Sequence, residues 1–194
     1  MSPYFFLLAG PNGAGKSTLY RALAAQALID PSAEFVNADL YEAEHLQHMP
    51  DPAIRSNAAR EWADARREAL LDAGISFTSE TVFSHPSKIA LIQSARERGF
   101  IVVLIVVGLD DTETLLARVA RRVQHGGHDV PRERILERYP RTLMNLRSAV
   151  KLANVAFLYD STSPHRLVAT CEEGACIQQD DRVPNWAKTV LDNA

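Results

Sequence analysis

An apolar run, Tyr4-Phe5-Phe6-Leu7-Leu8-Ala9, passes without a gap into Gly10-Pro11-Asn12-Gly13-Ala14-Gly15-Lys16-Ser17-Thr18, and no other stretch restricts so tightly what the chain can fold into. The order is a buried strand, a glycine-rich turn and a helix start, the context in which GxxxxGK[S/T] forms a phosphate-binding loop. The glycines open backbone angles closed to other residues and let main-chain N–H groups approach an anion with no Cβ in the way. Together with the positive end of the following helix, those N–H groups form an anion cradle. Lys16 then reaches the β- and γ-phosphates of a nucleotide, and the Ser17 hydroxyl serves as a ligand for Mg²⁺. A glycine-rich turn that merely starts a helix is the plainer alternative; sequence and context together favour the phosphate loop.

Beyond the loop, apolar strands alternate with amphipathic helices, the pattern of a mainly parallel sheet covered on both faces. The expected order is a helix from Lys16 to about Leu28, a short strand at Phe35–Ala38 and a polar, proline-bounded connection through His45, His48 and Pro50. A long helix follows from Asp51-Pro52 to about Ala73, then a strand at Ile75–Ser79 and a helix from Pro86-Ser87 to Gly99. Phe100 to Val107 is the clearest buried strand. A helix over about Thr112–His125, the break Gly126-Gly127-His128-Asp129-Val130-Pro131 and a basic helix over about Arg132–Ala153 come next, the last kinked or divided at Pro140. Val155–Tyr159 is a fifth strand, and a hairpin turning at Glu173-Gly174 and a short helix from Pro184 close the chain. The fold class is therefore an open five-stranded α/β sheet of the P-loop kinase type with a small C-terminal hairpin and helix. It forms a single domain over 1–194, with a core at about 4–161 and an appendage at about 162–194.

Ligands of open α/β sheets bind outside the carboxyl ends of the strands, and Gly10, Asp39, Glu80 and Asp110 all fall on that edge. A phosphate cradle facing carboxylates suits phosphoryl transfer to a hydroxyl. Asp39 is the candidate base, against a role as a turn or N-cap aspartate. Glu80 is a candidate for Mg²⁺ or the acceptor, against a solvated strand-end charge. Arg118 and Arg122, at i and i+4, share a helix face and are candidates for stabilising the transferring phosphates, against an exposed salt-bridged face; Arg121 fits that plainer role better. Arg132 and Arg134 follow a glycine-containing break that reads as a lid; Arg138 and Arg141 are weaker candidates. His125 and His128 lack a third ligand at regular spacing, so loop polarity is their expected role.

Composition narrows the partners. A formal net charge of −3 gives no electrostatic reason to expect duplex nucleic acid or a membrane surface. Cys171 and Cys176 are too few for a disulfide framework and are expected reduced. The start of the chain lacks a basic segment before its apolar run, and the longest apolar stretch is strand-sized, so a cytoplasmic protein is expected. The absence of a heptad repeat points to a monomer.

The ordered series GPNGAGKST, FVNAD, TSET, GL-D, RVxxRVxxGGHDVP and RYPRTLxNL, spanning about Phe5 to Ser161, resembles the zeta-toxin family of P-loop kinases, most closely its short chromosomal branch. That resemblance implies use of ATP and Mg²⁺ to phosphorylate the 3′-hydroxyl of the amino sugar in UDP-N-acetylglucosamine. It also implies a possible small helical antitoxin that blocks the nucleotide site. It assigns Lys16 and Ser17 to nucleotide and metal, Asp39 to the catalytic base, and Glu80 and Thr81 to the sugar nucleotide. Arg118 or Arg122 becomes the first phosphate-facing arginine; Arg132, with Arg134 as the alternative, becomes the second. Two other readings remain open: a kinase for another nucleotide, sugar or polynucleotide hydroxyl, and a nucleotide-dependent ATPase switch.

Overall fold

The computed structural model describes residues 2–125, 127, 129–162 and 164–192. Gly126 and His128, part of the sequence break read as a lid, lie outside the described residues.

Five strands run parallel: β1 (Tyr4–Ala9), β2 (Glu34–Val36), β3 (Phe77–Thr81), β4 (Ile101–Gly108) and β5 (Val155–Asp160). The hairpin of β6 (Arg166–Glu172) and β7 (Ala175–Gln179) adds to β5 antiparallel, giving one seven-stranded sheet in the order β2-β3-β1-β4-β5-β6-β7. The C-terminal hairpin is thus an extension of the sheet rather than an element beside it. Its turn falls at Glu173-Gly174, both at positive φ (44° and 83°), as a tight two-residue hairpin requires.

The helices are α1 (Lys16–Ala25), α2 (Ala38–His45), α3 (Pro52–Asp72), α4 (Ser87–Glu97), α5 (Thr112–Gln124), α6 (Arg132–Leu152) and α7 (Asn185–Leu191). Side-chain alternation along the strands sorts them onto two faces. Phe5, Leu7 and Ala9 of β1 join Val102, Leu104 and Val106 of β4 in a core with α3, α4, α6 and α7. Leu8, Val103, Ile105 and Val107 point the other way and pack on Leu19 and Leu23 of α1 and Leu115 of α5. A third, smaller cluster pins the segment before α6: Val130 packs with Leu116 and Val119 of α5 and with Ile135.

Two expectations change. The polar connection after β2 contains a helix, α2, because the Asn37 side chain accepts from the N–H groups of Asp39 and Leu40 at 2.9 and 3.2 Å and starts it. α2 is held to α3 by Tyr41, whose ring stacks on Trp62 with centroids 3.8 Å apart and planes 4° from parallel. Asn37, not Asp39, is the cap, so the plainer role considered for Asp39 is taken by its neighbour. The second change is at Pro140, which lies inside α6 without dividing it.

Asp110 also has a structural task. Its carboxylate accepts from the N–H groups of Asn185 and Trp186 at 2.9 and 2.6 Å, and so holds the start of α7 over the end of β4. Replacing Asp110 with alanine is expected to cost about 1–2 kcal/mol of stability in urea unfolding while nucleotide affinity stays unchanged.

Candidate active site

The loop after β1 is shaped by contacts that only glycine allows. Gly10 has φ 151°, and a Cβ there would sit 2.0 Å from the carbonyl oxygen of Val107; at Gly13, φ 79°, it would sit 2.4 Å from that of Leu115. The turn is therefore pressed onto the end of β4 and onto α5. Lys16, the first residue of α1, folds back over the turn and donates from Nζ to the carbonyls of Gly10 and Pro11 at 3.0 and 3.1 Å. Only 6% of this lysine is exposed, and burial lowers its pKa below the ordinary lysine value although Glu80 and Asp39 pull the other way.

Glu80, near the end of β3, faces this loop. It accepts from the Ser17 hydroxyl at 2.8 Å and from the Asn37 amide at 3.1 Å, and lies 3.8 Å from Lys16 Nζ. A hydroxyl and a carboxylate beside a buried ammonium, at the mouth of a glycine cradle, fit a nucleotide phosphate with its divalent cation. Ser17 and Glu80 are the residues that would hold the metal. Among the described residues no group of three or more His, Cys, Asp or Glu side chains forms a metal cluster of its own, and His125 instead places Nδ1 2.7 Å from the carbonyl of Arg121.

The loop opens into a cleft of about 410 Å³. Asp39 lines it from the first turn of α2, half exposed, with Arg122 Nη1 3.5 Å from its Oδ2. Thr81 lines it too, its hydroxyl accepting from the Phe83 N–H at 3.2 Å. Phe83 is buried at φ 63°, a left-handed conformation uncommon for an aromatic residue, and α6 holds it there. Thr142 donates to the Val82 carbonyl at 3.1 Å, and the Asn145 amide donates to that of Phe83 at 3.0 Å.

The arginines divide. Arg122 and Arg134 line the cleft, as does Arg138. Arg118 lies behind the phosphate loop, donating to the hydroxyl of Ser161, to its carbonyl at 2.8 Å and to the Gly13 carbonyl at 3.5 Å; it does not line the cleft. Arg132 turns to Glu113 on α5, with Nη2 to Oε1 2.7 Å, and does not line the cleft either. Of the two pairs left open by sequence, the members that line the cleft are Arg122, which also contacts Asp39, and Arg134.

Sequence reading did not single out Asn37, Glu42, Arg60, Asp64, Arg67 or Lys88, all of which line the cleft. Glu42, buried one turn on from Asp39, accepts from Arg55 Nε at 3.1 Å. Arg67, also buried, donates to the Ser79 hydroxyl at 3.1 Å and pairs with Asp64, which Lys88 reaches at 2.5 Å. The i, i+3 spacing of Asp64 and Arg67 was the one trace of this group in the sequence. On the far side of the loop, His165 packs its Nε2 against Gly15, where a Cβ would lie 3.0 Å away; burial, then Arg118, lowers its pKa.

The strand order, the glycine cradle and the Lys16–Ser17–Glu80 network define a P-loop kinase-type phosphate-binding fold. The zeta toxin family model matches residues 1–163, and the chain belongs to that family. An uncharacterized protein of Haemophilus influenzae is 31% identical over 138 residues, which are 67% of this chain and 88% of that one. Among solved structures, one from the PezAT chromosomal toxin–antitoxin system of Streptococcus pneumoniae superposes with a TM-score of 0.66 at 15% identity, over 87% of this chain and 71% of its own. A complex of AvrRxo1-ORF1 and -ORF2 with ATP gives 0.61 at 18%, over 90% and 60%. A putative kinase from Chloroflexus aurantiacus gives 0.57 at 18%, over 73% and 80%. Among the described residues no helix is long and apolar enough to cross a membrane.

Because the Lys16 pKa is lowered from 10.5, the folded state disfavours its charged form. The group therefore costs stability at neutral pH, and that cost disappears as pH rises through the folded pKa toward 10.5. Relative to Lys16→Met, which has no group titrating there, the parent is expected to gain urea stability as pH rises from 7 toward 10.5, and calorimetry should show nucleotide affinity lost in the variant.

Proposed function

We propose that this protein is an ATP- and Mg²⁺-dependent phosphotransferase whose acceptor is the 3′-hydroxyl of the sugar in UDP-N-acetylglucosamine, and that it acts as the toxin of a toxin–antitoxin pair. The observation that carries the reading is the meeting of Asp39, Arg122 and Glu80 with Lys16 and Ser17 at the mouth of one cleft. Membership of the zeta toxin family supports it, as do fold neighbours described as a toxin–antitoxin system and as an ATP complex.

In this reading the glycine cradle and Lys16 bind the nucleotide's β- and γ-phosphates. Ser17 with Glu80 would hold the metal, which would supply positive charge against that developing on those phosphates. Asp39 accepts the proton of the acceptor hydroxyl as its oxygen bonds to the γ-phosphorus and ADP leaves. Arg122, beside Asp39, and Arg134 stabilise charge on the transferring group. Glu80 and Thr81 border the acceptor. Asn37 orients the site from two directions, starting α2 through Oδ1 and donating to Glu80 through Nδ2.

A hydrolytic switch fits less well. Asp110 and Asp111, the acidic pair after β4, cap α7 and α5 rather than facing the phosphate loop. We further propose a cytoplasmic, monomeric single-domain enzyme with a small helical antitoxin that covers the nucleotide site.

Mass spectrometry of the protein incubated with ATP, Mg²⁺ and UDP-N-acetylglucosamine tests the reading. A singly phosphorylated sugar nucleotide is expected from the parent and none from Lys16→Ala. Asp39→Asn is expected to bind ATP as before and to transfer about 10²- to 10⁴-fold more slowly. Undiminished transfer by Asp39→Asn would remove Asp39 as the base, and ATP consumption without that product would remove the acceptor.

A further inference from the structure

The two cysteines of the chain face each other across the C-terminal hairpin. Cys171 of β6 is the direct antiparallel partner of Cys176 of β7, in the second pair from the Glu173-Gly174 turn. Opposed residues of antiparallel strands point to one face with Cα atoms about 4.5–5.5 Å apart, and a disulfide spans about 4.4–6.8 Å. Both thiols are free, and their surroundings differ: Cys171 is 1% exposed, whereas Cys176 is open to solvent. Burial raises the pKa of Cys171 to about 12, and the neighbouring Cys176 thiol adds to the shift.

The two sides of the pair are held unequally. At the turn Glu173 donates its N–H to the Asn154 carbonyl at 2.9 Å, and its carboxylate accepts from Asn154 Nδ2 and from Arg96, each at 2.8 Å. β7, by contrast, is the edge strand of the sheet, paired with β6 alone, and all five of its residues are exposed. Its register with β6 also shifts between Thr170 and Cys171. An exposed edge of this kind opens at low cost in free energy. The same strand carries the chain to Asp180, which Arg166 of β6 holds at 2.7 Å, and on to α7, whose Trp186 packs against Gly108 at the end of β4.

We propose that Cys171 and Cys176 form a reversible dithiol site, which a low-molecular-weight disulfide oxidises to an intrachain bridge that fastens β7 and the C-terminal segment to the sheet. The difference in exposure sets the order of events. The Cys176 thiol gives its proton to solvent and its sulfur attacks one sulfur of the reagent; the reagent's S–S bond breaks, and one small thiolate leaves and takes up a proton. The Cys171 sulfur then attacks the Cys176 sulfur of the mixed disulfide, and its proton goes to the second departing thiolate. Two electrons pass from the cysteine pair to the reagent, which ends as two thiols. The reagent never needs to reach the buried Cys171, and the high pKa of that thiol makes the second step the slow one. Where low-molecular-weight thiols prevail the pair stays reduced. The site is independent of the phosphotransferase reading and lies beyond it.

Mass spectrometry of the protein equilibrated with reduced and oxidised glutathione, quenched in acid and alkylated, tests the site. Glu172 and Glu173 lie between the cysteines, so cleavage at glutamate separates them unless they are bridged. The expected product is a bridged monomer, with an equilibrium constant for bridging about tenfold or more larger in the native protein than in concentrated urea. The same tenfold, read as stability, should raise the Tm of the bridged protein by about 3–6 °C over the reduced one. Cys171→Ser is expected to stop with one glutathione on Cys176. Cys176→Ser, matching the parent in circular dichroism, is expected to react about tenfold or more slowly because its remaining thiol is buried. Three results would each overturn the proposal: glutathione held on Cys176 of the parent at equilibrium without ring closure, bridging between chains, or bridging no more favourable in the native protein than in urea. Equal reaction rates for the two single variants would overturn the assigned order of attack.

Discussion

One carboxylate ties the site together. Glu80 sits near the end of β3 and receives hydrogen bonds from Ser17 at the start of α1 and from Asn37 at the end of β2, with Lys16 within ion-pair range. Two segments that are far apart in sequence, at Lys16-Ser17 and at Asn37, converge on the two carboxylate oxygens of a third. The parallel sheet makes this possible, because β1 lies between β3 and β4 and the turns at its carboxyl edge share one crevice. Without the carboxylate, the buried Lys16 would keep its backbone partners but lose its nearest opposite charge, and the ends of β1, β2 and β3 would lose their common link.

The long helix α6 supports the same edge from one side. Tyr139 donates to the carbonyl of Leu109 at 2.9 Å, Thr142 to that of Val82 and Asn145 to that of Phe83. Those three residues belong to the RYPRTLxNL stretch, so a motif that resembles part of a catalytic family pattern works here as a brace for the turns after β3 and β4. Desolvation raises the Tyr139 pKa to about 12, so its hydroxyl keeps the donated proton throughout the physiological range.

Much of this was legible in the sequence where one residue type answers to one local demand. The glycine cradle, Lys16, the alternating strands, the turn at Glu173-Gly174 and the carboxylates at strand ends follow from backbone sterics and periodicity. α2 was not legible, because its sequence is polar and its start depends on the Asn37 side chain rather than on an apolar stripe. The choice among arginines was not legible either. Arg118 and Arg122 share a helix face, yet the loop after β5 captures the first through Ser161 and leaves the second to Asp39. Arg132 and Arg134 differ by two positions, enough to turn one toward Glu113 and the other into the cleft. Arg60 was hidden for a similar reason, since α3 and α6 line one cleft across a distance that no spacing in the chain records.

Pro140 falls between the two duties of α6. Arg134 and Arg138 lie before it; Thr142 and Asn145, which hold the turn after β3, lie after it. Proline donates no backbone hydrogen bond, so the ladder of α6 lacks one bond where its cleft-lining half meets the half that braces the sheet edge.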